Sequence, residues 1–274
     1  MMNLPEPSIL QVKIAEEVSN IMKVLISPLS LEEAHIVADG GCDILDIKNV
    51  KEGSLGAQSP WVVQEVVDAF KGNGIICSAT LGDLPQKPGT ASLAAFGVAK
   101  CGVNYVKAGL YGSKTYEDAL EMMQHIHRAV RLVGDDILVV ASGYADYRRF
   151  DGVSCADVVA AARDSHCDVV MLDTAIKDGK TLLDAMTMDE IRDFIESGHE
   201  AGLLVALAGS VTEADIGSLA ELGPDIIGVR GAVCDSNDRT RGITLERVQS
   251  FMEFSRQFTT GGEKFEARVA PAAK

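Results

Sequence analysis

Ile44-Leu45-Asp46-Ile47-Lys48-Asn49-Val50-Lys51-Glu52-Gly53-Ser54-Leu55-Gly56-Ala57 begins apolar and turns charged at its end. The apolar start reads as a buried strand. Side chains on a strand point to alternate faces, so Asp46 and Lys48 share one. A buried lysine is costly unless it is paired or put to use. The glycine-rich turn behind it leaves backbone free to approach a ligand. The stretch therefore reads as a strand that ends in an active site.

Working outward from it, the same unit recurs. An apolar strand is expected over 23–27, and Ser30 caps a helix to Ala38 with Glu32 and Glu33 in its first turn. After the strand ending at Lys48, Pro60 starts a helix that runs to Phe70 and is stopped by Gly72. Further strands are expected over 75–80, 105–109, 137–142, 169–173, 203–207 and 226–230. The helices after them are expected over 90–100, 115–132, 155–164 and 188–201, from near Thr212, and over 244–258. Eight strand-then-helix units predict an α/β protein of the (β/α)8 TIM-barrel class, a single domain over residues 22–258. A doubly wound sheet is the alternative, but no G-x-G-x-x-G follows any strand. Residues 1–21 read as an N-terminal extension, with a short amphipathic helix over 9–21. Residues 259–274 read as a flexible polar tail.

Composition supports one close-packed domain. Of 274 residues, 47% are hydrophobic and only 5% aromatic, so Val, Ile, Leu and Ala must fill the core. The 25 basic and 40 acidic residues leave a formal charge of −15, which disfavours nucleic acid and anionic membrane as partners. An anionic substrate would need a local basic cluster. Six scattered cysteines read as free buried thiols of a reducing cytosol, and no metal-ligand spacing occurs. No metal and no cofactor are expected, and neither a signal sequence nor a transmembrane run is visible, so the expectation is cytoplasmic.

In a barrel, the C-terminal strand ends meet at one mouth. There the sequence places Asp46, Lys48, Lys107, Asp173 with Lys177, and Arg230. A single lysine at a strand end is usually a snorkelling surface residue. Three lysines and two aspartates at the same end of alternate strands point instead to amine catalysis on a carbonyl. A neighbouring ammonium and partial desolvation free a lysine amine, and Lys107 could do this for Lys48. Asp46 would orient groups and move protons. Gly209-Ser210 and Gly231-Ala232 follow the seventh and eighth strands, where such barrels commonly bind phosphate. The head of Arg230 either supplies charge there or points into a strand-end salt bridge. Tyr144-Ala145-Asp146, at the end of the fifth strand, could line the pocket, but a loop aromatic with an acid is ordinary. His125 and His127, two apart on a helix, read as solvent-exposed, and Met122 and Met123 as helix core or its edge. Position favours Lys177 over Lys180 for the pocket.

Several longer words of the sequence resemble a known family. They are the 46–57 stretch, Lys87-Pro-Gly-Thr90, Tyr105-Val-Lys-Ala-Gly-Leu-Tyr-Gly112, Met171-Leu-Asp-Thr-Ala-Ile-Lys-Asp-Gly-Lys-Thr-Leu182, Ala206-Leu-Ala-Gly-Ser210 and Gly228-Val-Arg-Gly-Ala232. Together they resemble the (5-formylfuran-3-yl)methyl phosphate synthases, which build the furan of methanofuran-type one-carbon carriers. The resemblance implies a barrel lyase condensing two glyceraldehyde 3-phosphates with release of phosphate and water. It implies that Lys48 forms the Schiff base and that Lys107 accepts protons. Asp46, Asp173 and Lys177 are implied to support them. A homo-oligomer is expected. The alternatives left open are a class I aldolase on a sugar phosphate and a non-catalytic binder of phosphate ligands.

Overall fold

The computed structural model describes residues 22–258. The expected extension over 1–21, with its helix over 9–21, and the expected tail over 259–274 lie outside them. Eight parallel strands close into a barrel in chain order: β1 (Lys23–Ile26), β2 (Ile44–Ile47), β3 (Ile76–Asp83), β4 (Tyr105–Gly109), β5 (Leu138–Tyr144), β6 (Val169–Asp173), β7 (Leu204–Leu207) and β8 (Ile226–Val229). The helices between them are α1 (Leu31–Asp39), α2 (Pro60–Phe70), α3 (Pro88–Lys100), α4 (Tyr116–Arg131), α5 (Cys155–Asp164), α6 (Leu182–Ala185), α7 (Met188–Glu200), α8 (Ile216–Ala220) and α9 (Leu245–Ser255).

Local chemistry sets the helix starts. Ser30 accepts from the Glu33 N–H, and Thr115 and Thr187 form capping boxes with Asp118 and Glu190. Four places depart from the expected pattern, the first being the short helix α6, which the sequence reading did not include. β3 continues past Thr80 to Asp83, with a register shift between them that Gly82, at φ 111°, permits. β5 runs on to Tyr144, pairing Gly143 and Tyr144 with Leu172 and Asp173. The helix expected near Thr212 begins as a 3-10 turn over Glu213–Asp215 before α8.

Two cores result. The larger lies between the outer barrel face and the helices, and it includes Met122 and Met123, both fully buried. The smaller fills the lower barrel interior with Leu25, Ile44, Tyr105, Val140, Val169, Met171, Ala206 and Ile226. Strand alternation and barrel stagger stack inward-facing residues in layers from alternate strands. Following the register, Asp46, Lys107, Met171 and Gly228 form one layer. Ser27, Thr80, Ser142 and Ala208 lie above it, and Lys48, Gly109, Asp173 and Arg230 above those. The interior is thus an apolar plug below and a charged mouth above.

Five of the six cysteines are buried and Cys42 is half-buried, all with free thiols. His125 is exposed, whereas His127 is half-buried and tilts against His166 at 6.2 Å. Among the described residues, no helix is long and apolar enough to cross a membrane.

Candidate active site

The charged mouth encloses a cavity of about 490 Å³. Asp46, Lys48, Lys107, Asp173, Lys177, Gly209, Ser210, Arg230, Gly231 and Ala232 all line it. Gly228 makes its floor: it leaves the Lys107 layer short of a side chain, and a Cβ there would meet Ala208 at 3.3 Å and Met171 and Leu25 at 3.5 Å.

Two lysine–aspartate pairs flank Lys48. The deeper joins Lys107 Nζ to Asp46 Oδ2 at 2.6 Å, with side chains 1% and 0% exposed. Asp46 also accepts from Ser27 Oγ (3.1 Å) and Ser78 Oγ (2.8 Å). Burial pushes its carboxyl upward, but the Lys107 and Lys48 charges and these hydrogen bonds outweigh that and hold it below the ordinary carboxylate value. Closer to solvent, Lys177 Nζ donates to Asp173 Oδ1 at 2.7 Å and to Thr174 Oγ1 at 2.9 Å. Burial likewise pushes Asp173 up, and the Lys177 and Lys48 charges with two hydrogen bonds bring it down to about 2. Lys180 stays exposed and outside this cavity.

Lys48 sits between the pairs. It is buried, 8% exposed, and its ammonium makes no hydrogen bond or ion pair among the described residues. Burial lowers its pKa to about 8; the Lys107 and Lys177 charges push the same way, and Asp173 and Asp46 oppose them. Of the two causes the sequence suggested, desolvation therefore leads and the neighbouring ammonium follows.

The Arg230 head adopts the second of its two expected places. Its guanidinium donates to Glu33 (2.8 and 3.2 Å), the Ser27 carbonyl (2.6 Å), the Arg239 carbonyl (2.9 Å) and the Arg241 carbonyl (3.3 Å). It is a buried lock between α1 and the loop after β8. Around the loops after β7 and β8, the backbone N–H groups of Gly209, Ser210, Gly231 and Ala232 donate to no acceptor within the described residues.

Reading the sequence missed a second layer of residues. Asp83, carried to the mouth by the extended β3, accepts from the N–H of Ser54 (2.8 Å) and Leu55 (3.3 Å) and from the Tyr144 hydroxyl. Gly53, at φ 143°, packs against that carboxylate, and any Cβ there would collide with it. Tyr144, read as ordinary lining, is thus buried, and burial with the Asp83 charge pushes its hydroxyl well above its usual pKa. Arg239 arrives from the loop after β8 to line the cavity, its Nη2 donating to the Gly53 carbonyl at 3.3 Å. The only available signal for Asp83 and Tyr144 was their position just past the expected strand ends, and Arg239 carried none. The Ser142 hydroxyl, one layer above Lys107, is buried without a hydrogen-bond partner among the described residues.

Fold and site together define a (β/α)8-barrel protein with a lysine-lined, carboxylate-flanked mouth. A family model described as 4-HFC-P synthase matches residues 24–252. The chain belongs to that family. It is 50% identical over 232 residues to the (5-formylfuran-3-yl)methyl phosphate synthase of Archaeoglobus fulgidus, covering 85% of this chain and 98% of the relative. To the protein of the same name from Methanopyrus kandleri it is 49% identical over 220 residues, 80% of this chain and 92% of that one. In fold it is similar to 3-hexulose-6-phosphate synthase from Salmonella typhimurium, with a TM-score of 0.62 at 14% identity over 86% of this chain and 100% of that one.

Proposed function

We propose that the protein is a Schiff-base lyase that joins two molecules of glyceraldehyde 3-phosphate into (5-formylfuran-3-yl)methyl phosphate, for a methanofuran-type carrier. Membership of a family whose relatives carry that synthase name supports the product. The observation that carries the mechanism is Lys48: an amine without a hydrogen-bond or ion-pair partner among the described residues, lowered to about 8, on the wall of a cavity between two lysine–aspartate pairs.

One triose phosphate, isomerised to its ketone, is attacked at the carbonyl carbon by the neutral Lys48 amine. Loss of water leaves an iminium. The iminium draws electrons from the adjacent carbon, which gives up a proton and becomes the nucleophile. That carbon attacks the aldehyde of the second triose phosphate and forms the new C–C bond. Ring closure and eliminations follow, and hydrolysis of the carbon–nitrogen bond frees Lys48 and takes back the water lost in forming the iminium. Atom balance requires one phosphate and two waters to leave in total.

Each elimination needs a placed acid or base. Lys107, held on Asp46 at 2.6 Å, is placed to move a proton in these steps. Asp173 and Lys177 form the second such couple at the outer end. Gly209, Ser210, Gly231 and Ala232 offer free N–H groups to a phosphoryl oxygen.

The test is to incubate the protein with glyceraldehyde 3-phosphate, trap with borohydride, digest, and measure masses, following furan absorbance in parallel. The expected result is added mass at Lys48 and a furan product. Mass on Lys107 or Lys177, or no adduct, would overturn the mechanism, and an open-chain sugar phosphate product would move the reading to an ordinary aldolase.

A further inference from the structure

Five cationic side chains line the cavity: Lys48, Lys107, Lys177, Arg230 and Arg239. Three are committed to carboxylates, Lys107 to Asp46, Lys177 to Asp173 and Arg230 to Glu33. Lys48 and Arg239 have no carboxylate partner among the described residues. Lys48 is the amine that the proposed reaction uses. Arg239 is half-buried, and its guanidinium makes one long bond, to the Gly53 carbonyl at 3.3 Å. Keeping a guanidinium half-buried without an ion-pair partner is unfavourable, and Asp173 and Asp83 attract this one only from beyond ion-pair distance. The structure leaves the position beside it open to the cavity.

We infer that Arg239 is the cation that grips a substrate phosphate, and that Arg230 serves to hold Arg239 in place. The inference rests on the phosphorylated substrate proposed above. Gly231 lies directly beside Arg239: a Cβ on Gly231 would come within 3.9 Å of the Arg239 Cβ. The arginine stem therefore borders the same turn whose N–H groups are free. A phosphomonoester dianion fits both partners, taking the planar guanidinium fork on some oxygens and backbone N–H groups on others. Arg230 cannot play this part, because turning it toward a ligand would cost Glu33 its counter-charge and three backbone carbonyls the guanidinium donor. Two of those carbonyls belong to Arg239 and Arg241, so the Arg230–Glu33 lock fixes the loop from which Arg239 projects. Neighbouring Ser236 and Asn237, at φ 53° and 57°, bend that loop back toward the mouth.

Calorimetric titration with glycerol 3-phosphate, a phosphomonoester with no carbonyl, tests this without any chemistry. Wild type should bind it. Arg239→Ala should weaken binding by about tenfold or more, the scale of a lost charge-assisted hydrogen bond, with Arg239→Lys in between. Thermal melts of both Arg239 variants check that the fold is intact. Borohydride trapping with unphosphorylated glyceraldehyde should label Lys48 equally in wild type and Arg239→Ala, whereas trapping with glyceraldehyde 3-phosphate should demand about tenfold more substrate in the variant. Binding of glycerol 3-phosphate by Arg239→Ala within about twofold of wild type would overturn the inference, as would absence of binding to wild type. Arg239-dependent binding with no imine at Lys48 would uphold it while removing the Schiff-base mechanism.

Discussion

The two lysine–aspartate pairs that flank Lys48 have nearly the same length, 2.6 Å for Lys107–Asp46 and 2.7 Å for Lys177–Asp173, but different surroundings. The inner pair is sealed, its members 1% and 0% exposed, and two serine hydroxyls complete the Asp46 shell. The outer pair joins Asp173, the last residue of β6, to Lys177 four positions on in the loop that follows, and its lysine is 20% exposed. Burial makes a pair costly to break, because the remaining charge has no water to turn to. Exposure lets the lysine swing away. The inner pair is therefore a fixed element that can change only by moving a proton, and the outer pair is a movable one that can follow a ligand.

The largest effect that would break this contrast is on stability. Asp46→Asn strands the Lys107 ammonium in the barrel and should cost about 3–5 kcal/mol in urea unfolding. Asp173→Asn leaves Lys177 able to reach solvent and should cost about 1–2 kcal/mol less than that. Equal losses from the two substitutions would mean that the pairs are energetically alike.

Activity sharpens the contrast next. If the sealed pair works by proton movement, Lys107→Arg keeps the charge but not the titration. Imine trapping at Lys48 should persist while furan formation falls by about 10²-fold, the scale of a general acid–base group. A near-wild-type rate of furan formation would reduce Lys107 to a fixed charge.

The smallest effect is a shift on the pH axis. Trapping at Lys48 should rise with pH through about 8, as the amine loses its proton. Asp173 holds that pKa up, so Asp173→Asn should move the midpoint lower. Stability carries the same sign: between about 8 and the ordinary 10.5 the unfolded chain holds a proton on this lysine that the folded one has lost. Wild type should thus gain stability as pH rises across that window, and Lys48→Met should lose the gain. A midpoint near 10.5 in trapping would show that burial leaves Lys48 unperturbed.

Much of this site was legible before any fold was seen. Period-two alternation put Asp46 and Lys48 on one face, and the repeat of strand and helix predicted eight units converging on one mouth. Those signals are local, each contained in a handful of consecutive residues. Partner choice is not local. The barrel stagger places residues of alternate strands in one layer, and that is why Asp46 meets Lys107, 61 positions on, rather than its neighbour Lys48. Arg230 is locked by Glu33, 197 positions away, because β8 closes against β1 and brings α1 beneath the final loop. Asp83 and Tyr144, also 61 apart, meet because β3 and β5 both run longer than their apolar cores. Arg239 sits in a polar loop whose composition distinguishes it from no other surface arginine. The sequence by itself thus determined which chemistry stands at the mouth. Ring closure alone decided which charges cancel each other and which, Lys48 and Arg239, stay open to a ligand.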